Sequence, residues 1–413
     1  MVVLEGIQLE NIETKIKGFY DILSGEIEKL NHLHNLFIEE SKIFGFQEIK
    51  TSMVELRKRY LNATLVHPSK IFEVYRLKEG SRHVLQADLA MSMSRFIADL
   101  PNKTVLKLVQ DGTMFRDRPA DLPGFRKSFN QILLGAWGTS SLWVDAEILA
   151  ITWRGLSKIE GISTCFIQIS NKGIFDAIRP GLSHDIRFSE EGIECLNQVN
   201  IANNDRRQLK KLFFLDRIPL VDAIKFFESI ESPEIKREFN KIIQLRDFLL
   251  CLVPQCRLLF SLKNLSGTGH YSSLNYKAFI VFNSIGSLEI ADGGRIDDMA
   301  FKLNGSQVPG VCMGIGNTVL AQLMDGNSKE RKLALLVDDV YFNNNYQEVY
   351  AVATKCQTVN CSIIPIPWKK KKKVLKSSFY RSYDFILIDA EGTISVRSEE
   401  SNNLTLQALI GDK

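Results

Sequence analysis

An α+β fold is what this chain predicts, and three observations carry the expectation. Around Asp111–Gly138, two apolar arms flank a Pro/Gly-rich tip, the pattern of an antiparallel hairpin with a long loop. From 177 to 259 the chain turns helical and highly charged, interrupting strand-like segments on both sides. From 331 onward, short apolar strands alternate with helical spacing, as in a small α/β domain. The expected organisation is a core formed by 1–176 and 260–326, a helical insertion at 177–259, and an α/β domain at 331–413.

The elements read in order as follows. Glu26–Phe44 places Ile27, Leu30, Leu33, Leu36, Phe37 and Ile43 at helical spacing, and Gly45 is a helix stop. Phe46–Glu55 alternates like a strand, and Ser69–Val74 and His83–Asp88 are short strand candidates. Leu89–Leu100 reads as a helix ended by Pro101. After the hairpin, Trp143–Glu160 is an amphipathic helix with Asp145 and Glu147 in its first turn, and Thr164–Ser170 is a strand. Val221–Glu228 and Pro233–Val253 are the helix candidates of the charged block, whose charge is ordinarily a solvated face. Tyr276–Asn283 and Leu288–Ala291 resume the strand pattern. The glycines of Asp292-Gly293-Gly294-Arg295 permit a tight turn or a close backbone approach to a ligand. Gly310–Leu323 opens with three glycines and continues as a helix, a weak phosphate-cradle signal that matches no standard nucleotide spacing. Asp325–Ser328 reads as a linker. Beyond it, Lys332–Val337, Ser362–Ile366, Phe385–Ile388 and Thr393–Val396 are strands and Tyr346–Lys355 a helix.

Composition bounds the function. With 413 residues, 45% hydrophobic and 24% charged, the chain has the make-up of an ordinary soluble protein. A net charge of +4 is too small to argue nucleic-acid binding by itself. The seven cysteines are scattered without a CxxC pair, and Cys251/Cys256 and Cys356/Cys361 lack the further ligands of a zinc site. No metal site is expected, and buried thiols in a reducing compartment are the better reading. No signal peptide and no membrane-length apolar run is visible, so a cytoplasmic protein with no membrane partner is expected.

Chemistry concentrates at the hairpin. Arg116, Arg118, Arg126 and Lys127 lie at or near its tip, and planar guanidinium forks suit phosphate or carboxylate. A solvated basic loop is the plainer alternative. His184 and His270 are lone histidines and receive no role. Lys369–Lys373, with Lys376, offers a contact surface for an anion such as tRNA, against the plainer reading of a solvated run.

Several segments in order resemble the class II aminoacyl-tRNA synthetases, specifically the histidyl-tRNA synthetase family and its non-catalytic relative, the regulatory subunit of ATP phosphoribosyltransferase. KGFYDILSGE is similar to the family's N-terminal KGTRDILPxE, and GFQEIKTSMVE to motif 1, the dimer-interface segment. FRDRPADLPGFRKSFNQ resembles motif 2, VDAEILA the helix after it, ADGGRID the GGRYD signature, and VPGVCMGIGNTVL stands at motif 3. FYRSYDFILIDAEGTISVRS is similar to the end of the anticodon-binding domain. The resemblance implies a six-stranded antiparallel class II sheet flanked by helices, an inserted helical domain, an anticodon-binding-like C-terminal domain and a homodimer. It also implies ATP with Mg2+ as cofactors and an amino acid and tRNA as partners. The cofactor-binding set it implies is Arg116, Arg118, Arg126 and Phe129, with Arg116 as the catalytic α-phosphate contact. Asp88, Gln131, Gly293, Gly294 and Arg295 are the implied substrate-binding set.

Against that pattern the chemical positions are depleted. Aligning GVCMGIGNT on GFAIGLERL puts Asn317 at the motif 3 arginine, and no arginine occurs between Gly310 and Asn327. The counterpart of RGLDYY, within Asn264–Phe279, holds no arginine either. LRPEGT becomes Leu85–Ala90, keeping the acid Asp88, while the later acid of FHQFGVE falls on Gly135; Ser52 stands where motif 1 usually has proline. Each donor lost from transition-state charge costs about 10²–10³ in rate, so two independent losses slow adenylate formation by about four to six orders of magnitude. Three readings follow. One is a nucleotide- or amino-acid-binding regulatory paralogue that is not a housekeeping synthetase. Another is a regulatory subunit of ATP phosphoribosyltransferase working with its catalytic subunit, which the RADMTPQVAR-like run around Asp88 favours. The third is an active class II ligase that adenylates another amino acid.

Overall fold

The computed structural model describes residues 16–63, 66–75, 82–100, 104–119, 126–182, 189–215, 217–263, 271–282, 286–324, 332–355, 361–377 and 383–397. The hairpin tip beyond Pro119, the stretch 264–270 with its histidine, His184, Cys356 and the linker at 325–328 lie outside them. The chain divides into two compact units, with the break at Met324/Asp325.

The first unit runs α1 (Ser24–Ile43), β1 (Gln47–Glu48), β2 (Val54–Leu56), α2 (Arg57–Ala63), β3 (Glu73–Tyr75), β4 (Arg82–Leu85) and α3 (Leu89–Ala98). The hairpin strands β5 (Leu106–Phe115) and β6 (Ser128–Trp137) lead to α4 (Leu142–Ser157), β7 (Ile162–Asn171) and α5 (Gly173–Ile178). Then come α6 (Ser189–Gln198), α7 (Asn203–Phe214), β8 (Ile218–Pro219), α8 (Leu220–Glu228), α9 (Pro233–Leu252) and β9 (Arg257–Phe260). The unit closes with β10 (Leu274–Phe282), β11 (Gly286–Arg295), α10 (Met299–Asn304), β12 (Gly310–Ile315) and α11 (Asn317–Leu323).

Its main sheet has nine strands in the order β1-β5-β6-β12-β11-β10-β7-β9-β8. The six from β5 to β7 in that order pair antiparallel throughout, the arrangement the resemblance implies. β1 adds in parallel to β5, and β9 in parallel to β7. The anticipated strand Phe46–Glu55 therefore breaks in two: β1 joins this sheet, whereas β2 joins a separate sheet of order β2-β4-β3. Between the two pieces the Thr51 amide donates to Gln110 Oε1 at 3.3 Å, a side-chain bond in place of a strand ladder.

Side-chain alternation gives the sheet two unlike faces. On one, Leu33 and Phe37 of α1, Ile148 of α4, Ile242 of α9 and Leu320 of α11 pack on Leu134, Ile167, Tyr276 and Met313 in a single apolar core. The charged helical block shares this core through Leu212, Phe239 and Leu249, and β8 and β9 tie it to the sheet edge. Its outward charges leave the inward apolar face free for that packing. On the other face, Tyr60 of α2, Met91 and Met93 of α3 and Met299 of α10 cover Leu108, Leu133, Trp137 and Cys312. Farther along the same face, Phe166, Leu259 and Phe279 form a small separate patch. Between these two apolar covers Lys277 is half-buried and Asp292 is exposed, although both belong to interior strands.

Two expectations about glycine are corrected. Asp292–Arg295 is no turn but the end of β11, and neither of its glycines has a positive φ. The glycines are needed because a Cβ at Gly293 would stand 2.3 Å from the Cys312 carbonyl oxygen, and one at Gly294 2.7 Å from that of Leu274. The backbone approach is close, but the approaching groups are neighbouring strands. Likewise Gly310–Ile315 is strand β12, and only Asn317–Leu323 is helical. A Cβ at Gly310 would meet the Trp137 ring and one at Gly314 the Gln131 amide, so these glycines make room for side chains of the same face.

The second unit alternates β13 (Lys332–Asp338), α12 (Asp339–Lys355), β14 (Cys361–Ile366), α13 (Lys371–Leu375), β15 (Tyr383–Ile388) and β16 (Ile394–Arg397). Its sheet has the order β14-β13-β15-β16, with β13 parallel to both neighbours. Leu333, Leu335, Val337, Val349, Ile386 and Ile388 form a core of its own. Among the described residues no helix is long and apolar enough to cross a membrane. Cys165, Cys256 and Cys312 are buried as expected, whereas Cys251 is exposed on the outer side of α9.

Candidate functional site

The hairpin brings its arginines together at one end of the open face, but each is already engaged. Arg116 Nε donates to the Ala87 carbonyl at 2.6 Å, and its Nη2 lies 3.6 Å from Asp88 Oδ2. Arg118 stacks on the Phe129 ring at 3.9 Å and donates through Nε to the Arg126 carbonyl at 2.8 Å. Burial, with the charge of Arg116 beside it, lowers the Arg118 pKa to about 10. Arg126 makes a two-pronged pair with Glu26 of α1, at 2.6 and 3.0 Å. Lys127 pairs with Asp117 at 2.6 Å. The aromatic face of Phe129 is thus covered by the chain's own guanidinium, and Arg126 is neutralised by an acid 100 residues away in sequence. Nothing in the local motif signals that partner.

Farther in, Asp88 caps α3, accepting from the Ala90 amide at 2.7 Å and the Met91 amide at 3.3 Å. That capping explains why α3 begins where it does. Gln131 lies over Gly314 on the same face. The structure adds three residues that sequence reasoning did not single out: Tyr271, Cys312 and Asp292. Tyr271 donates its hydroxyl to Asp292 Oδ2 at 3.0 Å, and its ring fills the notch at Gly294. Burial pushes the Tyr271 hydroxyl and the Cys312 thiol well up, and the charges of Asp88 and Asp292 bear on both. The four groups therefore form one cluster. Asp292 itself is pushed up to about 6, chiefly because surrounding protein desolvates it, with Lys277 and Tyr271 acting the other way. The acid directly before the glycine pair was the available signal, and reading that run as a turn obscured it.

Arg295, expected in the substrate-binding set, is turned into the protein. Its side chain is 3% exposed and grips Asp145 of α4 through Nε and Nη2. Nη1 donates to the Thr139 carbonyl at 3.0 Å and Nη2 to that of Ser141 at 2.7 Å. Tyr276 adds its hydroxyl to the same carboxylate. Burial opposes the Arg295 charge, yet the facing Asp145 carboxylate lifts its pKa above the ordinary value. Gly293 and Gly294 are buried between strands, as above. Arg295 thus ties β11 to α4, and Gly293 and Gly294 admit the neighbouring strands and the Tyr271 ring.

Asn317, which the sequence comparison above sets against the motif 3 arginine, opens α11 and is fully buried. Its Nδ2 donates to Asp111 Oδ2 at 3.2 Å on the face covered by α1, whereas Asn317 Oδ1 and Asp111 Oδ1 are buried without a partner. Burial pushes the Asp111 carboxyl up, against the pull of Asn317 and of His34, whose Nδ1 is 3.4 Å away. Among the described residues, no lysine or arginine is paired with Asp111 here. Among the described residues, no group of three or more His, Cys, Asp or Glu side chains is placed to hold a metal ion. A triphosphate with Mg2+ would meet Arg116 as the one hairpin arginine whose carboxylate contact is a loose 3.6 Å approach. Among the described residues, the hairpin thus offers a triphosphate one loosely engaged cation, Arg116.

A profile of the histidyl-tRNA synthetase family matches residues 18–316. The histidine–tRNA ligase of Helicobacter hepaticus is 25% identical over 425 residues, covering 94% of each chain. That of Saccharolobus solfataricus is 23% identical over 318 residues, 73% of each. Among solved structures, an ATP phosphoribosyltransferase regulatory subunit/histidyl-tRNA synthetase from Bacillus halodurans superposes with a TM-score of 0.73 at 16% identity. The match covers 92% of this chain and 99% of that one. The histidyl-tRNA synthetase from Nostoc gives 0.64 at 16% identity, covering 92% of both chains.

Proposed function

The chain belongs to the histidyl-tRNA synthetase family, and from that premise we propose that it is a regulatory, ligand-binding paralogue that does not act as a housekeeping synthetase. The observation that carries this reading is Asn317, a buried neutral amide tied to Asp111 where the family places a cation for the phosphate. Amino-acid activation gathers negative charge on the α-phosphate, and preplaced cations are what lower that barrier. Here Arg126 is matched by Glu26, Arg118 covers Phe129, and Arg116 shares itself with Ala87 and Asp88. Such a lining supports holding an anion more than transforming one. The exposed apolar side chains Met53, Val54 and Leu56 in the motif 1 segment support a homodimer.

Amino-acid-dependent exchange of labelled pyrophosphate into ATP, run across a panel of amino acids with the full chain, tests the proposal. The expected result is exchange about four or more orders of magnitude below that of an active relative, following from two lost cations. Robust exchange with any one amino acid would establish an active ligase and overturn the regulatory reading. The second reading, a regulatory subunit of ATP phosphoribosyltransferase, rests on the segment around Asp88. Co-purification with a short-form catalytic subunit supports it, and failure to co-purify at micromolar concentrations of both removes it.

A further inference from the structure

We propose that Asp292 is the recognition point for a positively charged side group, so that the ligand of this site is a cationic amino acid. The inference rests on the ligand-binding reading above and adds the class of ligand to it. β11 is the fifth strand of nine, where a side chain would ordinarily be covered on either face, yet Asp292 is exposed. At the same time enough protein surrounds the carboxyl to raise its pKa to about 6. The carboxyl thus lies on a strip of the sheet left open between the α3/α10 cover on one side and the Phe166–Phe279 patch on the other.

Charge complementarity selects the ligand. Among the described residues, no lysine or arginine nitrogen lies within ion-pair distance of Asp292. The ammonium of Lys277, its neighbour across β10, goes instead to Glu289 at 2.8 Å. Asp292 accepts the Tyr271 hydroxyl on Oδ2, a neutral donor that orients the carboxylate without neutralising it. An independent observation lies in the same cross-strand row, Gln168–Lys277–Asp292, on the same face. Gln168 is 2% exposed and its Oε1 has no partner, so the row ends in an unsatisfied acceptor just beneath the surface. A protonated amine or a guanidinium supplies several N–H donors and a positive charge for Asp292, since Lys277, the one cation of the row, is paired with Glu289. Nearer the hairpin, Arg116 suits a carboxylate and Asp88 with Gln131 an ammonium, so a whole amino acid has its ends accounted for. The charged tip of its side chain then falls to Asp292.

Calorimetric titration of the full chain at pH 7.5 with L-lysine, L-ornithine and L-arginine tests this, with L-norleucine and L-citrulline as neutral counterparts and L-histidine as the family reference. At least one cationic amino acid is expected to bind about ten- to a hundred-fold more tightly than its neutral counterpart, the worth of one charge-assisted hydrogen bond. D292N is expected to erase that preference. Equal binding of charged and neutral members, no binding by any cationic member, or an unaltered preference in D292N would each overturn the assignment. Preferential binding of histidine that D292N does not disturb would do the same. The titration contains no ATP and requires no turnover. Its failure therefore leaves the non-catalytic reading in place, whereas pyrophosphate exchange removes that reading without touching this one.

Discussion

At the scale of single residues, Asp292 should declare itself in the pH dependence of stability. Its pKa rises from the ordinary carboxylate range to about 6 in the folded protein. Below about pH 4 it is protonated in both the folded and the unfolded chain and contributes nothing to the difference. As pH rises from about 4 to 6 the unfolded chain ionises first, so the folded state loses stability, and above about 6 the full penalty persists. Replacement by asparagine removes the penalty. D292N should therefore melt near the wild-type temperature at pH 4 and above it at pH 7.5. The gain should be on the order of 1 kcal/mol once exposure of the carboxylate is allowed for. A constant difference across this range in thermal denaturation would assign the gain to something other than ionisation. Little of this was readable beforehand. The residue types at the hairpin were visible, but their engagement by Glu26, Asp88 and Ala87 depends on elements distant in sequence.

At the scale of elements, helices and long strands were legible because periodicity over ten or more residues reports burial directly. Pro233–Val253 was expected and Pro233–Leu252 is found, and the two hairpin arms became β5 and β6. The failures have a common cause. Gly293, Gly294, Gly310 and Gly314 resemble loop glycines in sequence, but they lie in strands where neighbouring backbone, Trp137 and Gln131 take the space of a side chain. Local composition cannot distinguish a glycine needed for its backbone freedom from one needed for its emptiness. The partner of Arg295 was no more legible, since its burial against Asp145 depends on a helix distant in sequence. Its pair with Asp145 fastens α4 to β11, and breaking one side leaves a charge buried without its partner. D145N should cost about 3–5 kcal/mol in chemical denaturation. A loss under 1 kcal/mol would mean that the Thr139 and Ser141 carbonyls suffice to hold the guanidinium.

At the scale of the whole molecule, the first unit carries Asp292 and the hairpin arginines and the second carries the lysines. Lys369, Lys370, Lys372, Lys373 and Lys376 are exposed around α13, and Lys371 rests over the Trp368 ring at 4.2 Å. If tRNA binding is retained as part of the proposed function, this surface supplies phosphate contacts. Charge reversal at Lys369, Lys372 and Lys376 should then lower the slope of affinity against salt by about one per lysine lost. An unchanged slope in filter binding would assign these lysines to solvent. The division into two units was visible in the change from a split antiparallel pattern to alternating strands and helices. The shared core of the helical block and the sheet was not, because charged outer faces dominate its composition.

The indole of Trp137 decides which side chains position 135 can take. It is 1% exposed, donates to Ser94 Oγ at 3.2 Å, and occupies the space above Gly135 so closely that a Cβ there would stand 2.3 Å from the ring. Any side chain at 135 needs the indole to leave first, and losing the indole alone opens a hole in the core that covers β6 and β12. A single replacement at 135 therefore unseats the ring, and only a paired change at 135 and 137 can place a larger group there.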